Sequence, residues 1–176
     1  MSGVLTIDEP LNTSTESFDA LYRDSARDLY AYVRTLLGDD ASAEDVTALA
    51  FERAYRRRES FDERRGSSRG WLFAIARNAA LDELRRRNRT APLVGELPDE
   101  LAPAPEEEAD VALRRSTVRA ALAALGARDR ELIALKFHGG LTNVELAAVL
   151  GCSETNAGTR VHRAVTKLRK ACHAPA

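Results

Sequence analysis

Four prolines and seven acids in one short segment divide this chain. Residues 90–112 hold Pro92, Pro98, Pro103 and Pro105 together with Glu96, Asp99, Glu100, Glu106, Glu107, Glu108 and Asp110, and no basic residue. Proline has no backbone donor and clashes with the preceding helical turn, so a regular helix does not run through such a segment. An extended linker is expected, able to reach several tens of ångströms at ~3.3 Å per residue. The flanks then fold as two units, residues 15–89 and 113–172, behind a polar lead at 1–14. Units this small bury a limited share of their surface and are only marginally stable, which suits modules that dock on a larger partner.

Neither flank alternates with period two, so an all-α fold of two small helical domains is expected. In the first unit, a helix from about Thr15 to Leu37 places Phe18, Leu21, Tyr22, Leu29, Tyr32, Val33, Leu36 and Leu37 on one face before Gly38. A second starts near Ser42, which has capping-box spacing to Asp45, and turns Val46, Leu49, Ala50, Phe51, Ala54 and Tyr55 inward. The polar stretch Phe61 to Ser68 reads as a loop. A third helix starts near Arg69, with Trp71, Leu72, Ile75, Ala76 and Ala79 packing one way and Arg69, Arg77, Asn78, Arg85, Arg86, Arg87 and Arg89 offering donors elsewhere. The second unit opens with helices at about Glu107 to Leu125 and Arg128 to His138, the latter closed by Gly139 and Gly140.

The chemistry is clearest in Leu141 to Arg169. Thr142 and Glu145 form a capping box ahead of Leu146, Ala147, Val149 and Leu150. Gly151 can adopt the left-handed conformation that ends a helix, and Ser153 can cap the next. That next helix sets Ala157, Val161, Ala164, Val165 and Leu168 on one stripe and Glu154, Thr155, Asn156, Thr159, Arg160, Arg163 and Lys167 on the other face. The pattern is a helix-turn-helix with its second helix as the DNA reader, against the plainer alternative of a helical hairpin with a solvated basic face. Arginine can bond a guanine edge, asparagine an adenine edge, and threonine can touch a thymine methyl. After Glu154 no acid follows, against Arg160, Arg163, Lys167, Arg169 and Lys170.

A formal net charge of −1 conceals a blockwise order. Residues 52–89 carry twelve arginines against six acids, and residues 113–176 carry eleven bases against four acids, on either side of the acidic linker. Two basic blocks point to two sites on one polyanion. No apolar run approaches the ~20 residues of a membrane span, and the N-terminus lacks the basic start and apolar stretch of a signal peptide. Cys152 and Cys172 have no CxxC partner, and His138, His162 and His173 complete no ligand set, so neither a metal site nor a cofactor is expected. No Gly-rich phosphate loop or nucleophile with a base is present, which argues against an enzyme.

Three stretches in this order resemble the extracytoplasmic-function (ECF) sigma factors of bacterial RNA polymerase. SAEDVTALAFERAYRR, Ser42 to Arg57, and RGWLFAIARNAALDELRRR, Arg69 to Arg87, resemble the family's region 2, which would cover about residues 18–89. Leu125 to Arg169 resembles its region 4, which would cover about 113–172. The resemblance implies a cytoplasmic initiation factor without catalytic activity or membrane insertion. Its partners would be core RNA polymerase, promoter DNA and an anti-sigma factor. It would read the −35 element as duplex and hold the −10 element as an opened single strand, while the linker lies along the polymerase RNA path.

Residue roles follow from the same resemblance. Glu44, Asp45 and Leu49 fall where the family contacts the polymerase clamp, although the family often has an acid at the position of Leu49. Arg69, Trp71, Arg77, Asn78, Arg85 and Arg86 fall near the opened −10 strand. Trp71 can be a wall at the strand-separation point or a core anchor between the second and third helices, the anchor being the favoured reading. The Phe61–Ser68 loop corresponds to the segment that captures a flipped −10 base, or is a plain connector. Glu154, Thr155, Asn156, Thr159 and Arg160 are the candidate −35 base readers, with Arg163 and Lys167 on phosphates. Ala157 and Gly158 stand where the family more often has valine and lysine. Gly158 either lets the helix approach the duplex closely or weakens it. The rival reading is a helix-turn-helix regulator that binds operator DNA without polymerase.

Overall fold

The computed structural model describes residues 13–90 and 109–173. Residues 1–12 of the expected lead and 91–108 of the expected linker lie outside these residues. Seven α-helices and two short 3-10 turns make up the described residues, with no strand among them.

The first unit is a three-helix bundle of α1 (Thr13–Leu37), α2 (Asp40–Arg56) and α3 (Ser68–Thr90). Leu29, Tyr32, Val33 and Leu37 of α1 meet Ala43, Val46, Ala50, Phe51 and Ala54 of α2, a stripe at helical spacing in each. Gly38 takes a φ of 81° and lets the chain reverse between them. The expected box of Ser42 and Asp45 does not start α2. Asp39 is the cap instead: its carboxylate accepts from the Ser42 N–H at 2.8 Å and pairs with Arg87 at 2.6 Å, tying the start of α2 to the end of α3. Burial pushes the Asp39 carboxyl up, but the Ser42 and Arg87 donors outweigh it and hold the group below the usual aspartate range.

The favoured anchor role of Trp71 also needs correction. Leu72 and Phe73 are fully buried in α3, whereas Trp71 is half-buried at the edge of the core, its ring 5.1 Å from that of Phe61. Phe73, outside the expected inward set, packs 5.5 Å from the Tyr32 ring.

The second unit holds α4 (Ala109–Ala124), α5 (Ala127–Phe137), α6 (Asn143–Leu150) and α7 (Glu154–His173). Leu125, Leu132, Ile133 and Ala164 form its own small core. Ala134, Leu135, Leu141, Leu146, Ala147 and Ala157 belong instead to the core of the first unit. Helix α5 is therefore buried on two sides. Its run Leu132–Leu135 serves both cores, and α1 packs on α5 while α3 packs on α6. Gly139 is part of this seam, since a Cβ there would lie 3.1 Å from the Phe73 ring and 3.2 Å from Leu141.

Candidate nucleic-acid interface

The helix-turn-helix is built as its sequence indicates. Thr142 Oγ1 accepts from the Glu145 N–H at 3.2 Å, and the Glu145 carboxylate accepts from the Thr142 N–H at 2.7 Å, so the capping box is complete. Gly151 ends α6 with φ 65° and ψ 41°, the left-handed conformation. Ser153 Oγ then accepts from the Asn156 N–H at 3.2 Å at the start of α7. Ala157 and Ala164 are fully buried, which fixes the rotation of α7 and leaves Glu154, Thr155, Asn156, Thr159, Arg160 and Arg163 exposed on one face.

Lys167 continues that face but donates to Asp129 of α5 at 2.5 Å. Arg160 and Arg163 make no ion pair among the described residues. His162 is exposed beside them. Gly158 does not lie on the open face: a Cβ there would meet the Asn143 side chain at 3.2 Å. The position faces the start of α6, so close approach to a duplex is not the reason for a glycine there.

On α2, Glu44 and Asp45 are exposed one turn before Leu49, which is half-buried against the core. This face presents carboxylates to solvent beside a small apolar edge.

The expected −10 residues sit in more varied settings. The loop before α3 is ordered by Asp62, whose carboxylate accepts from the Arg64 N–H at 3.0 Å. Two cavities, each about 360 Å³, flank the Phe61–Trp71 pair. One is lined by Ser17, Phe18, Leu21, Arg58, Phe61 and Trp71, among others. The other has Phe61, Arg65, Gly66 and Trp71 on one side and Val144, Ala148 and Val149 of α6 on the other. Asn78 is exposed. Arg85 pairs with Asp82 at 2.9 Å, and Arg86 pairs with Glu83 through two bonds of 2.8 Å.

Arg69 and Arg77 face the second unit. Arg69 donates to the Gly139 carbonyl at 2.6 Å, to Asp28 at 2.6 Å, and more weakly to the His138 carbonyl, Ser25 and the Asp24 carbonyl. Arg77 Nε donates to Glu131 Oε1 at 2.6 Å, with both side chains less than a quarter exposed. Ser67, which accepts from the Gly70 N–H at 3.0 Å, donates to Glu145. Burial pushes the Glu145 carboxyl up, yet the Ser67 and Thr142 donors and the nearby Arg69 charge leave it below the usual glutamate range. This inter-unit set has no motif. The run Leu132–Leu135 and the off-stripe Phe73 were the signals available in the sequence.

Comparison with known proteins places these two helical units in one class of transcription factor. Residues 21–90 match Sigma-70 region 2, and residues 115–168 match Sigma-70 region 4, together more than half of the chain. The ECF RNA polymerase sigma factor SigL of Mycobacterium tuberculosis is 36% identical over 155 residues, covering 85% of each chain. The sigma factor RpoE, solved with the anti-sigma factor NepR from Bartonella quintana, superposes with a TM-score of 0.76 at 25% identity, over 92% of this chain and 99% of that one. CnrH, solved with the cytosolic domain of CnrY, gives 0.61 at 26% identity over 89% and 87%. The chain belongs to the ECF family of RNA polymerase sigma factors. It is an alternative sigma factor that acts in transcription initiation with core RNA polymerase and promoter DNA, and the bond-forming chemistry is the polymerase's. No helix among the described residues is long and apolar enough to cross a membrane.

Proposed function

We propose that α7 reads the −35 duplex while the loop and helix around Trp71 hold the opened −10 strand, with the polymerase clamp on α2. The work would be done in the cytoplasm. The observation that carries this reading is the single open face of α7, where Thr155, Asn156, Thr159, Arg160 and Arg163 stand clear of the protein core. Glu154 completes the readers at the N-terminal end of that face, and an acid there can accept from a cytosine amino group. Arg163 and Lys167 meet phosphates, which fixes register without choosing sequence.

At the −10 element, a base leaving the stack costs a few kcal/mol and needs a shaped pocket. The cavities beside Phe61 and Trp71 supply aromatic walls, and stacking on such a wall contributes ~1–3 kcal/mol per base. Arg69, Arg77, Asn78, Arg85 and Arg86 would take the strand's phosphates. Glu44, Asp45 and Leu49 would contact the clamp. Residues 90–112 would follow the RNA path, their negative charge standing in for RNA until the transcript displaces them. RpoE and CnrH were solved bound to NepR and to the cytosolic domain of CnrY, and their likeness to this chain supports control by an anti-sigma factor here.

The test is run-off transcription with purified chain and bacterial core polymerase on a library of promoter fragments from the source organism. Transcripts that require the chain are expected, and their upstream sequences will give both elements. Tight duplex binding without transcripts or co-elution with core would instead identify an operator-binding regulator.

A further inference from the structure

We propose that Ser67 is a phosphorylation site that switches off capture of the −10 strand, the partner being a protein kinase that reads arginine ahead of serine. The switching half of the proposal rests on the assignment of the −10 strand to the Trp71 region. Arg64, Arg65, Gly66 and Ser67 run in order, so two cations stand three and two residues before a hydroxyl. Kinases choose substrates by such charge patterns, with acidic groups on the enzyme pairing with the arginines. All four residues are exposed, and neither arginine makes an ion pair among the described residues. A Cβ at Gly66 would meet nothing within 4 Å, so the backbone before the hydroxyl is open to an approaching enzyme. Ser68 differs: it is half-buried in the first turn of α3.

In the transfer, Ser67 Oγ bonds to the terminal phosphorus of a nucleoside triphosphate held by the kinase. The bond to the diphosphate leaving group breaks, and the hydroxyl proton passes to the kinase's catalytic carboxylate. The phosphate then has favourable surroundings. Ser67 Oγ accepts from the Gly70 N–H at 3.0 Å at the start of α3, the positive end of a 23-residue helix. Arg64 and Arg65 precede it in the same loop, and the charge of Arg69 acts on Glu145, the residue to which Ser67 donates. A phosphoserine beside arginines and a helix N-terminus gains new charge-assisted bonds.

The same position decides the consequence. Ser67 lines the cavity on one side of Trp71, together with Phe61, Arg65 and Gly66. A phosphoserine there carries a charge of about −2 at neutral pH. It occupies the arginines that a strand phosphate would use, and it repels the strand from the aromatic walls. The reading face of α7 holds none of these residues, so the −35 duplex is met as before.

The test treats the full chain with a purified arginine-directed protein kinase and ATP, and maps the product by tandem mass spectrometry. Incorporation at Ser67 is expected. Ser67→Asn keeps a capping side chain and should abolish it. Incorporation that persists in that variant, or none in the folded wild type, would overturn the site. With core polymerase, the phosphorylated chain should give about tenfold less run-off transcript or lower still, the scale set by like charges a few ångströms apart near a protein surface. Phosphatase should restore transcription, and −35 duplex binding should not change. Full transcription from completely modified chain would overturn the switch and leave the sigma assignment standing.

Trp71 is the sole tryptophan and gives a readout that needs no polymerase. Phosphate beside it should reduce quenching by iodide, an anion, relative to quenching by neutral acrylamide. An unchanged ratio in the modified chain would overturn the placing of the phosphate at this cavity. If wild type directs no transcript with core, the functional assignment fails, while mapping and quenching still judge the phosphorylation site.

Discussion

Two basic helices in this protein treat their charge in opposite ways. Along α3, Arg69, Arg77, Arg85, Arg86 and Arg87 all have partners within the chain. On α7, Arg160 and Arg163 have no ion-pair partner among the described residues. The cause is partly local. Helix α3 carries Asp82 and Glu83 one turn from its arginines, whereas α7 has no acid after Glu154. It is also tertiary, because the second unit brings Glu131 and two carbonyls to α3. A cation already paired must exchange one partner for another, and gains little on meeting DNA. An unpaired, hydrated cation releases counterions when it meets phosphate. The difference teaches that arginine number along a helix is a poor guide to its readiness to bind, and several substitutions can break or sharpen the contrast.

The largest effect is expected from Phe73→Ala, which attacks the seam that makes α3 differ from α7. The ring is fully buried between Tyr32 and the Gly139–Leu141 turn. Removing a buried aromatic of this kind costs ~3–5 kcal/mol. Chemical denaturation of the full chain should show that loss. A cost below ~1 kcal/mol, the scale of surface substitutions, would mean that the ring is not shared between units.

The next test compares the helices directly. Arg160→Ala should weaken −35 duplex binding by ~1–3 kcal/mol and relax the choice at one base pair. Arg163→Ala should weaken all sequences alike and reduce the salt slope of binding by about one. Arg86→Ala should leave duplex binding by the free chain unchanged. Fluorescence anisotropy over a salt series reads all three. An equal change of slope for Arg86→Ala and Arg163→Ala would erase the contrast.

Asp39→Ala tests the first unit alone. Loss of a helix cap costs ~0.5–2 kcal/mol, and here the Arg87 bond to Asp39 goes with it. Because the folded protein holds Asp39 below its ordinary pKa, its carboxylate stabilises the fold above the unfolded value. That contribution is lost as pH falls through the lower, folded value. Wild type and variant should therefore differ fully near neutral pH and converge below about pH 4, near and under the ordinary aspartate range. Urea midpoints across pH would show it, and a difference independent of pH would assign the cost to something other than the carboxylate.

These elements also show which parts of the molecule were readable in the chain. Periodicity located all seven helices, and the box at Thr142 and Glu145, the glycine at 151 and the cap at Ser153 were all found where their side-chain chemistry requires them. Local rules suffice there because every partner lies within four residues. They misplaced the start of α2, where Ser42 has the right spacing but Asp39 also gains Arg87 from forty-eight residues away. The docking of the two units had no such signature. Arg69 is held by carbonyls, which every residue has, and Glu131 and Glu145 look like any surface acid. Only the unbroken apolar run Leu132–Leu135 hinted that α5 needs two covered sides.

The smallest expected effect concerns α7 itself. Glycine inside a helix is less favourable than alanine by up to ~1 kcal/mol, and Gly158 lies in the second turn of the reading helix. Its added Cβ would meet only the Asn143 amide, at 3.2 Å, and a terminal amide can turn aside where a backbone atom could not. Gly158→Ala should therefore stabilise the chain by a few tenths of a kcal/mol, up to that ~1 kcal/mol limit, with −35 affinity unchanged, because the position points toward α6 and away from the open face. Thermal unfolding and duplex binding measured on the same preparation separate the two effects. A stabilised chain with lost affinity would place position 158 at the DNA after all. A destabilised chain would mean that Asn143 is held rigidly and that the glycine is required for α6 and α7 to meet.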